Sequence, residues 1–311
     1  MRVAVVGAGA MGSLYGSMLH DAGHEVTLVD VDRAIVDAIN ADGVVIVRRD
    51  EREDTYSIPA TTEPDTLSPP VDLILFLVKG FATASAAALV TPVVGPDTTI
   101  ASLQNGIGNE ETLRAAFPEN PLVLGVSVHS ASMTAPGRYL HTGTRSTAVG
   151  PADERWYARA GDLADALRAG GYDVELEHEV DIRREIFAKW TINCGSLPTL
   201  AITGLATDAV TDHEVVLTLI DALTREACEL AALEGIELDA DERAAFNRGL
   251  FRTAGGKASM LQDIEAGRRT EIDTISGAGV RIADKHGHPA PLSRAAFALV
   301  KGREAAMGVS A

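Results

Sequence analysis

Through the first half of the chain, short continuous apolar runs alternate with stretches whose apolar residues recur every three or four positions. Continuous runs of that length read as strands buried on both faces, and the intervening stretches as the helices that cover them. The pattern predicts strands at Arg2–Gly7, Glu25–Asp30, Leu73–Val78, Thr99–Leu103 and Leu122–Val128, with a helix from Gly9 to about Ala22 and another over Trp156–Ala169. Arg138–Thr142 and Ser146–Gly150 read as short strands near a sheet edge, Asp173–Val180 as a last strand, and Asp50–Asp54 as a solvated acidic loop. From Asp181 the strand-like runs stop and helical spacing takes over. The expectation is an α/β domain with a parallel sheet over residues 1–179, a boundary near Glu179, and an all-α domain over residues 180–311.

The first strand runs directly into Gly7-Ala-Gly9-Ala-Met-Gly12 and then a helix. In that context the glycines serve different ends. Gly7 permits the tight turn, Gly9 lets backbone approach a pyrophosphate, and Gly12 allows close packing of helix on strand. Ala10 and Met11, in the same turn, join them as cofactor-binding positions beside the helix N-terminus, which favours negative charge. The first domain is therefore expected to be a dinucleotide-binding Rossmann domain. Asp30 ends the second strand about 20 residues on, where a carboxylate accepts hydrogen bonds from ribose hydroxyls and repels a 2′-phosphate, which favours NAD over NADP. The plainer alternative is that Asp30 or Asp32 caps the helix that starts near Arg33, itself the nearest cation for a phosphate.

Composition narrows the partners. Hydrophobic residues make up 46% and charged residues 23%, the proportions of an ordinary globular protein. The 27 basic and 44 acidic residues give a formal charge of −17, which argues against nucleic acid and anionic membranes as partners. Two cysteines without C-x-x-C spacing, eight histidines without metal spacing, and no apolar run of membrane-spanning length lead us to expect a cytoplasmic protein without a metal. The N-terminus also shows no signal-peptide pattern. Only five of the 27 basic residues are lysines, the basic side chain whose proton affinity a site can tune.

Two of those lysines fall at informative places. Lys79 follows an apolar strand, at the sheet edge where α/β proteins bind ligands, and Gln104-Asn105-Gly-Ile-Gly-Asn109 follows the next strand in the same way. Lys189 and Asn193 are four residues apart and share a helix face. Near the end of the chain, Gly267 reads as a helix stop, and Thr270 with Asp273 as a capping-box-like pair opening a new helix with Glu271 in its first turn. On the residues alone, an ion pair on a solvated face is the better reading of Lys189 and Glu271.

These segments together resemble the ketopantoate reductases (2-dehydropantoate 2-reductases): G-A-G-A-M-G, V-K, L-Q-N-G-I-G-N, E-x-x-x-K-x-x-x-N-C and S-M-L-Q-D-I-E-A-G-R-x-T-E-I-D, spread over nearly the whole chain. The resemblance implies a Rossmann domain followed by a helical substrate and dimerisation domain, with the active site in the cleft between them, and a homodimer. It implies that a 2-keto acid is reduced by hydride from a nicotinamide cofactor, with Lys189 as general acid, Asn105 positioning it near the nicotinamide, and Glu271 orienting lysine and substrate. Asn193 and Ser259 become substrate contacts and Lys79 and Asn105 cofactor contacts. The chemistry agrees with a lysine in this role, because hydride transfer to a ketone leaves an alkoxide that needs a proton donor.

Two departures stand out. Leu197 occupies a position where the family usually has asparagine, before Pro198, so the substrate is ketopantoate or a more apolar 2-keto acid. Ser196 beside it could compensate only with a shift of helix register. Val31 stands where NADP-using relatives often carry arginine, which favours NAD. The alternatives are an opine-type or other hydroxy-acid dehydrogenase of the same two-domain plan, and a non-catalytic dinucleotide sensor.

Overall fold

The computed structural model describes residues 1–143, 146–176, 180–253 and 255–309. The chain divides into two compact bodies, Met1–Gln104 with Asn109–Ile182, and Asn105–Gly108 with Arg183–Ala311. The expected boundary at Glu179 lies outside the described residues.

The first body is built from β1 (Arg2–Val6), α1 (Ala10–Asp21), β2 (Glu25–Val29), α2 (Arg33–Asp42), β3 (Val44–Arg48), β4 (Glu53–Tyr56), β5 (Ala60–Thr61), β6 (Leu73–Phe76), α3 (Thr83–Val90), β7 (Thr99–Ser102), α4 (Asn109–Ala116), β8 (Leu122–Ser127), β9 (Ser130–Ala135), β10 (Arg138–Gly143), β11 (Thr147–Pro151), α5 (Tyr157–Ala169) and β12 (Val174–Leu176). Its main sheet has the order β12-β11-β8-β7-β6-β1-β2-β5, parallel except where β11 runs against β8. Alternate strand residues Val3, Val5, Leu73 and Leu75 join Leu14 and Met18 of α1 and Leu163 and Leu167 of α5 in one core. The intervening Ala4, Val6, Ile74 and Phe76 are buried as well, which explains why these strands read as unbroken apolar runs.

A second sheet, β4-β3-β10-β9, corrects the expectation from sequence. Arg138–Thr142 is an inner strand of this sheet and not an edge of the main one, pairing β3 on one side and β9 on the other. Its Val44, Ile46 and Tyr139 enter the same core as α1. The acidic stretch is also not all loop, since Glu53 and Asp54 open β4 and Asp54 accepts from Arg48 Nε at 2.8 Å. The last strand covers only Val174–Leu176, and residues 177–179 lie outside the described set.

The second body is helical: α6 (Ile182–Thr203), α7 (Glu214–Leu233), α8 (Ala240–Thr253), α9 (Ser259–Glu265), α10 (Ser276–His286) and α11 (Pro291–Ala306). Trp190, Cys194, Leu197 and Ala201, spaced four, three and four, form the apolar seam of α6 against Leu230, Met260, Ile272, Ile275 and Val300. Pro198 lies inside α6, where Ser196 and Thr199 hydroxyls donate to the carbonyls of Ile192 and Gly195, both at 2.8 Å. The Ser196 hydroxyl is thereby turned onto its own helix. Among the described residues, no helix is long and apolar enough to cross a membrane.

Candidate active site

The glycine-rich turn is shaped by steric necessity. Gly7 has φ +102°, and a Cβ there would lie 2.9 Å from the Val78 amide nitrogen. A Cβ on Gly12 would lie 1.7 Å from the Gly7 carbonyl oxygen, so α1 packs onto the turn only because that atom is missing. Gly9 differs. It has an ordinary extended backbone, and a Cβ on it would meet no protein atom within 4 Å. Neither fold nor packing demands glycine at position 9, so the open space beside it fits the close backbone approach of a dinucleotide pyrophosphate. The first-turn amides of Ala10, Met11 and Gly12 point out of the helix end, as first-turn amides do.

Polar groups then lock the Ala8 peptide. Its carbonyl accepts from Tyr139 Oη at 2.6 Å and Ser13 Oγ at 3.1 Å, and its N–H donates to Asp30 Oδ2 at 2.7 Å. Asp30 Oδ1 accepts from the Asp32 N–H at 2.9 Å, and Asp32 Oδ1 accepts from the Ala34 N–H at 2.9 Å. Of the two aspartates, Asp32 is the one that caps α2, while Asp30 braces the glycine turn. Val31 is 80% exposed and Arg33 begins α2 on the surface.

At the carboxyl ends of β6 and β7, Gln104 ties the strands together. Its Nε2 donates to the Val78 carbonyl at 2.9 Å and to Thr83 Oγ1 at 2.7 Å, and its Oε1 accepts from Ser102 Oγ at 2.9 Å. Thr83 in turn donates to Asn109 Oδ1 at 3.1 Å. Lys79, half-buried, precedes a short 3-10 turn at Gly80–Ala82 beside this network.

The helical body carries the other candidate residues. Lys189 and Asn193 lie one turn apart on α6, both half-buried, and Leu197 follows one turn later, 8% exposed within the apolar core. Glu271 is 7% exposed. Burial pulls the Lys189 ammonium down to a pKa of about 8, and the Glu271 carboxylate opposes that shift by attraction. Ser259 is the exposed first residue of α9.

The expected capping box does not form. Helix α10 begins only at Ser276, and Thr270 Oγ1 accepts from the Ile272 N–H at 3.2 Å while donating to Glu304 Oε1 at 2.8 Å. Asp273 is drawn to Arg269 Nη2 at 3.1 Å instead. Glu271 therefore sits in an irregular turn over residues 270–275, not in a helix. Asn105 also lies in an unexpected place, because Asn105–Gly108 packs with the helical body. Gly106 has φ +85°, and a Cβ on it would fall 2.5 Å from Thr274 Oγ1, while the Ile107 N–H donates to the Thr274 carbonyl at 3.0 Å. Arg281 donates to the carbonyls of Asp273 and Ile107 at 2.9 and 3.4 Å. Asn105, Lys189, Asn193 and Glu271 consequently belong to one body, and the glycine turn, Asp30 and Lys79 to the other. Sequence reasoning misses Glu304, Trp190 Nε1 (which donates to the Ile275 carbonyl at 3.0 Å) and Arg281, none of which has a local motif.

A glycine turn of this shape between a strand and a helix suits a dinucleotide cofactor. Comparison with known proteins agrees. Models of ketopantoate reductase PanE/ApbA match residues 3–154 and, for its C-terminal part, residues 181–304. The 2-dehydropantoate 2-reductase of Pyrococcus abyssi is 30% identical over 311 residues, covering 99% of both chains. A PanE/ApbA family ketopantoate reductase from Ralstonia eutropha is 32% identical with a TM-score of 0.89, covering 99% of this chain and 100% of that one. A D-mandelate dehydrogenase solved with NADH and anilino(oxo)acetate is 28% identical with a TM-score of 0.93, at the same coverage. The chain belongs to the ketopantoate reductase family, and with it to the NAD(P)-dependent 2-keto acid reductases.

Proposed function

We propose that the protein reduces an apolar 2-keto acid to the 2-hydroxy acid with NADH, using Lys189 as general acid. The observation that carries this reading is the placement of Lys189 on α6, one turn before Asn193 and within the attraction of the buried Glu271 carboxylate, with burial lowering its pKa to about 8. At neutral pH such a group is mostly protonated yet gives up its proton readily, as a general acid must. When bound, the dihydronicotinamide supplies the hydride that adds to the keto carbon. The C=O π pair moves to oxygen, and Lys189 Nζ delivers the proton that makes it a hydroxyl. Glu271 holds the ammonium before the transfer, and Asn105, Asn193 and Ser259 are assigned to orienting lysine and substrate.

We assign dinucleotide binding to residues 1–179, through Gly7, Gly9, Ala10, Met11, Gly12, Asp30, Lys79 and Asn105, and substrate binding to residues 180–311. The NAD preference rests on the Asp30 carboxylate, already held against the glycine turn, and on Val31, whose exposed side chain offers a phosphate no charge. The apolar substrate rests on Leu197, an alkyl group where an amide would bond a hydroxyl, and is in keeping with the anilino(oxo)acetate bound by the similar D-mandelate dehydrogenase. We place the protein in the cytoplasm, in keeping with two buried free thiols, Cys194 and Cys228.

The test is oxidation of NADH and NADPH by the purified chain against 2-dehydropantoate and branched and aromatic 2-keto acids. We expect the highest kcat/KM for an apolar acid with NADH. A highest value for 2-dehydropantoate with NADPH would overturn both specificity assignments, and no turnover with any acid would overturn the reductase reading.

A further inference from the structure

We propose that Glu304, acting through Thr270, is a positioning residue that fixes Glu271 against Lys189. This inference rests on the reading of Lys189 as general acid. The turn over residues 270–275 has no regular helix to hold it, and a carboxylate that drifts from its place loses much of its hold on a partner charge. What stops the drift is a side chain 34 residues away in sequence. Glu304, on the last turns of α11, is only 2% exposed. Its Oε1 accepts from both the Thr270 N–H at 2.7 Å and the Thr270 Oγ1 hydroxyl at 2.8 Å, while Lys301 Nζ reaches its Oε2 at 2.9 Å. Both oxygens of a buried carboxylate are thus engaged, and two of the three donors come from the residue immediately before Glu271.

A carboxylate buried to this degree is costly without partners and strongly directional with them. The second end of the turn is held from α6, where the Trp190 indole donates to the Ile275 carbonyl at 3.0 Å. Trp190 adjoins Lys189, so the acid-bearing turn is pinned at one end to the lysine's own helix and at the other to α11. Between the pins, Thr274 Oγ1 donates to the Glu271 carbonyl at 3.1 Å. The charged groups around the Glu304 anchor are Lys301 on α11, which also reaches Asp273 at 3.5 Å, and Arg269 and Asp273 on the turn. Among the described residues, the charge whose attraction acts on the ionisation of Lys189 is Glu271 on the turn, and Glu185 stands one turn before the lysine in the sequence of α6. Glu304 does not act on Lys189 directly; its effect passes through the placement of Glu271.

The experiment uses the full chain labelled with 13C at lysine Cε, a tractable spectrum with five lysines, the Lys189 signal being assigned by its absence in Lys189→Arg. Three readouts are taken on wild type, Glu304→Ala, Glu304→Gln and Thr270→Val: the Lys189 titration midpoint, the basic limb of kcat/KM, and Tm. In Glu304→Ala the turn loosens, Lys189 loses attraction from Glu271, and its midpoint and the limb fall by about one pH unit. At pH 8 that lowers the protonated fraction, and the rate, roughly fivefold. Glu304→Gln keeps an acceptor for Thr270 and holds the midpoint near the wild-type value. Should Glu304→Ala fail to fold, Thr270→Val, which removes one of the two bonds, moves the midpoint the same way by a smaller amount. A lower Tm with an unmoved Lys189 midpoint, in whichever of these variants folds, would show Glu304 to be structural only and overturn the proposal. Failure of the underlying reading is a separate result: Lys189→Ala would then keep wild-type turnover, whatever the midpoint does.

Discussion

The glycine turn over residues 7–12 and the acidic turn over residues 270–275 both hold irregular backbone in place, and they do so by opposite means. In the first, shape comes from missing atoms: Gly7 and Gly12 leave room that any Cβ would fill, and hydroxyls from Ser13 and Tyr139 only steady the Ala8 peptide. In the second, shape comes from added side chains, with Glu304, Trp190 and Arg281 each reaching backbone from a different helix. A turn made by absence fails where the missing atoms would fall, at Gly7 and Gly12, and tolerates change elsewhere. A turn made by tertiary partners fails when any partner is removed, however distant in sequence.

Substitutions can break or sharpen this contrast. The largest effect is expected from Lys189→Ala, which should lower kcat by about 10²–10⁴-fold while leaving NADH affinity, read by fluorescence titration, close to wild type. That split would assign proton transfer to the helical body and nucleotide binding to the other. Next comes a paired test within the glycine turn. Gly12→Ala should destabilise the fold by about 1–3 kcal/mol and weaken NADH binding, because the added methyl meets the Gly7 carbonyl. Gly9→Ala should leave Tm nearly unchanged and weaken NADH binding alone. Equal losses of Tm in both variants would mean that position 9 serves the fold and not the nucleotide.

A smaller effect is expected from Asp30→Ala, which removes both the ribose acceptor and the brace on Ala8. The ratio of kcat/KM for NADH over NADPH should fall about tenfold, an amount equal to roughly 1.4 kcal/mol. An unchanged ratio would make Asp30 a purely structural brace. The smallest effect is that of pH. Reduction needs protonated Lys189, whose pKa of about 8 is set by burial, so kcat/KM should fall only about twofold from pH 7 to pH 8 and then more steeply. The oxidation direction, which needs the neutral amine, should rise over the same window. Profiles flat through pH 8 in both directions would remove Lys189 from proton transfer.

The contrast also explains what is legible in the sequence. The main sheet is legible because β1, β6, β7 and β8 are buried on both faces and stand out as apolar runs. The second sheet is not, since β9 is Ser-Ala-Ser-Met-Thr-Ala and β4 is Glu-Asp-Thr-Tyr, partly exposed strands without an apolar signature. The glycine turn is legible because its shape is local. At Thr270 the local pattern misleads: Thr-x-x-Asp reads as a capping box, but Glu304 takes the threonine and Arg269 the aspartate. Asn105 reads as a strand-end residue of the sheet for the same reason, since Thr274, the packing partner of its segment, is far along the chain.

The four residues Asn105–Gly108 have a consequence for the order of assembly. They are synthesised between β7 and α4, yet the carbonyl and side chain against which Gly106 and Ile107 pack belong to Thr274. A nascent chain therefore emerges with this segment lacking its neighbours until residues near 274 and 281 have been made. Genes cut near residue 182 to produce the α/β body alone would yield a protein with Ile107 unshielded and the hydrogen bonds to its N–H and carbonyl unmade, and grafting a foreign helical region onto it would need its own answer to Gly106.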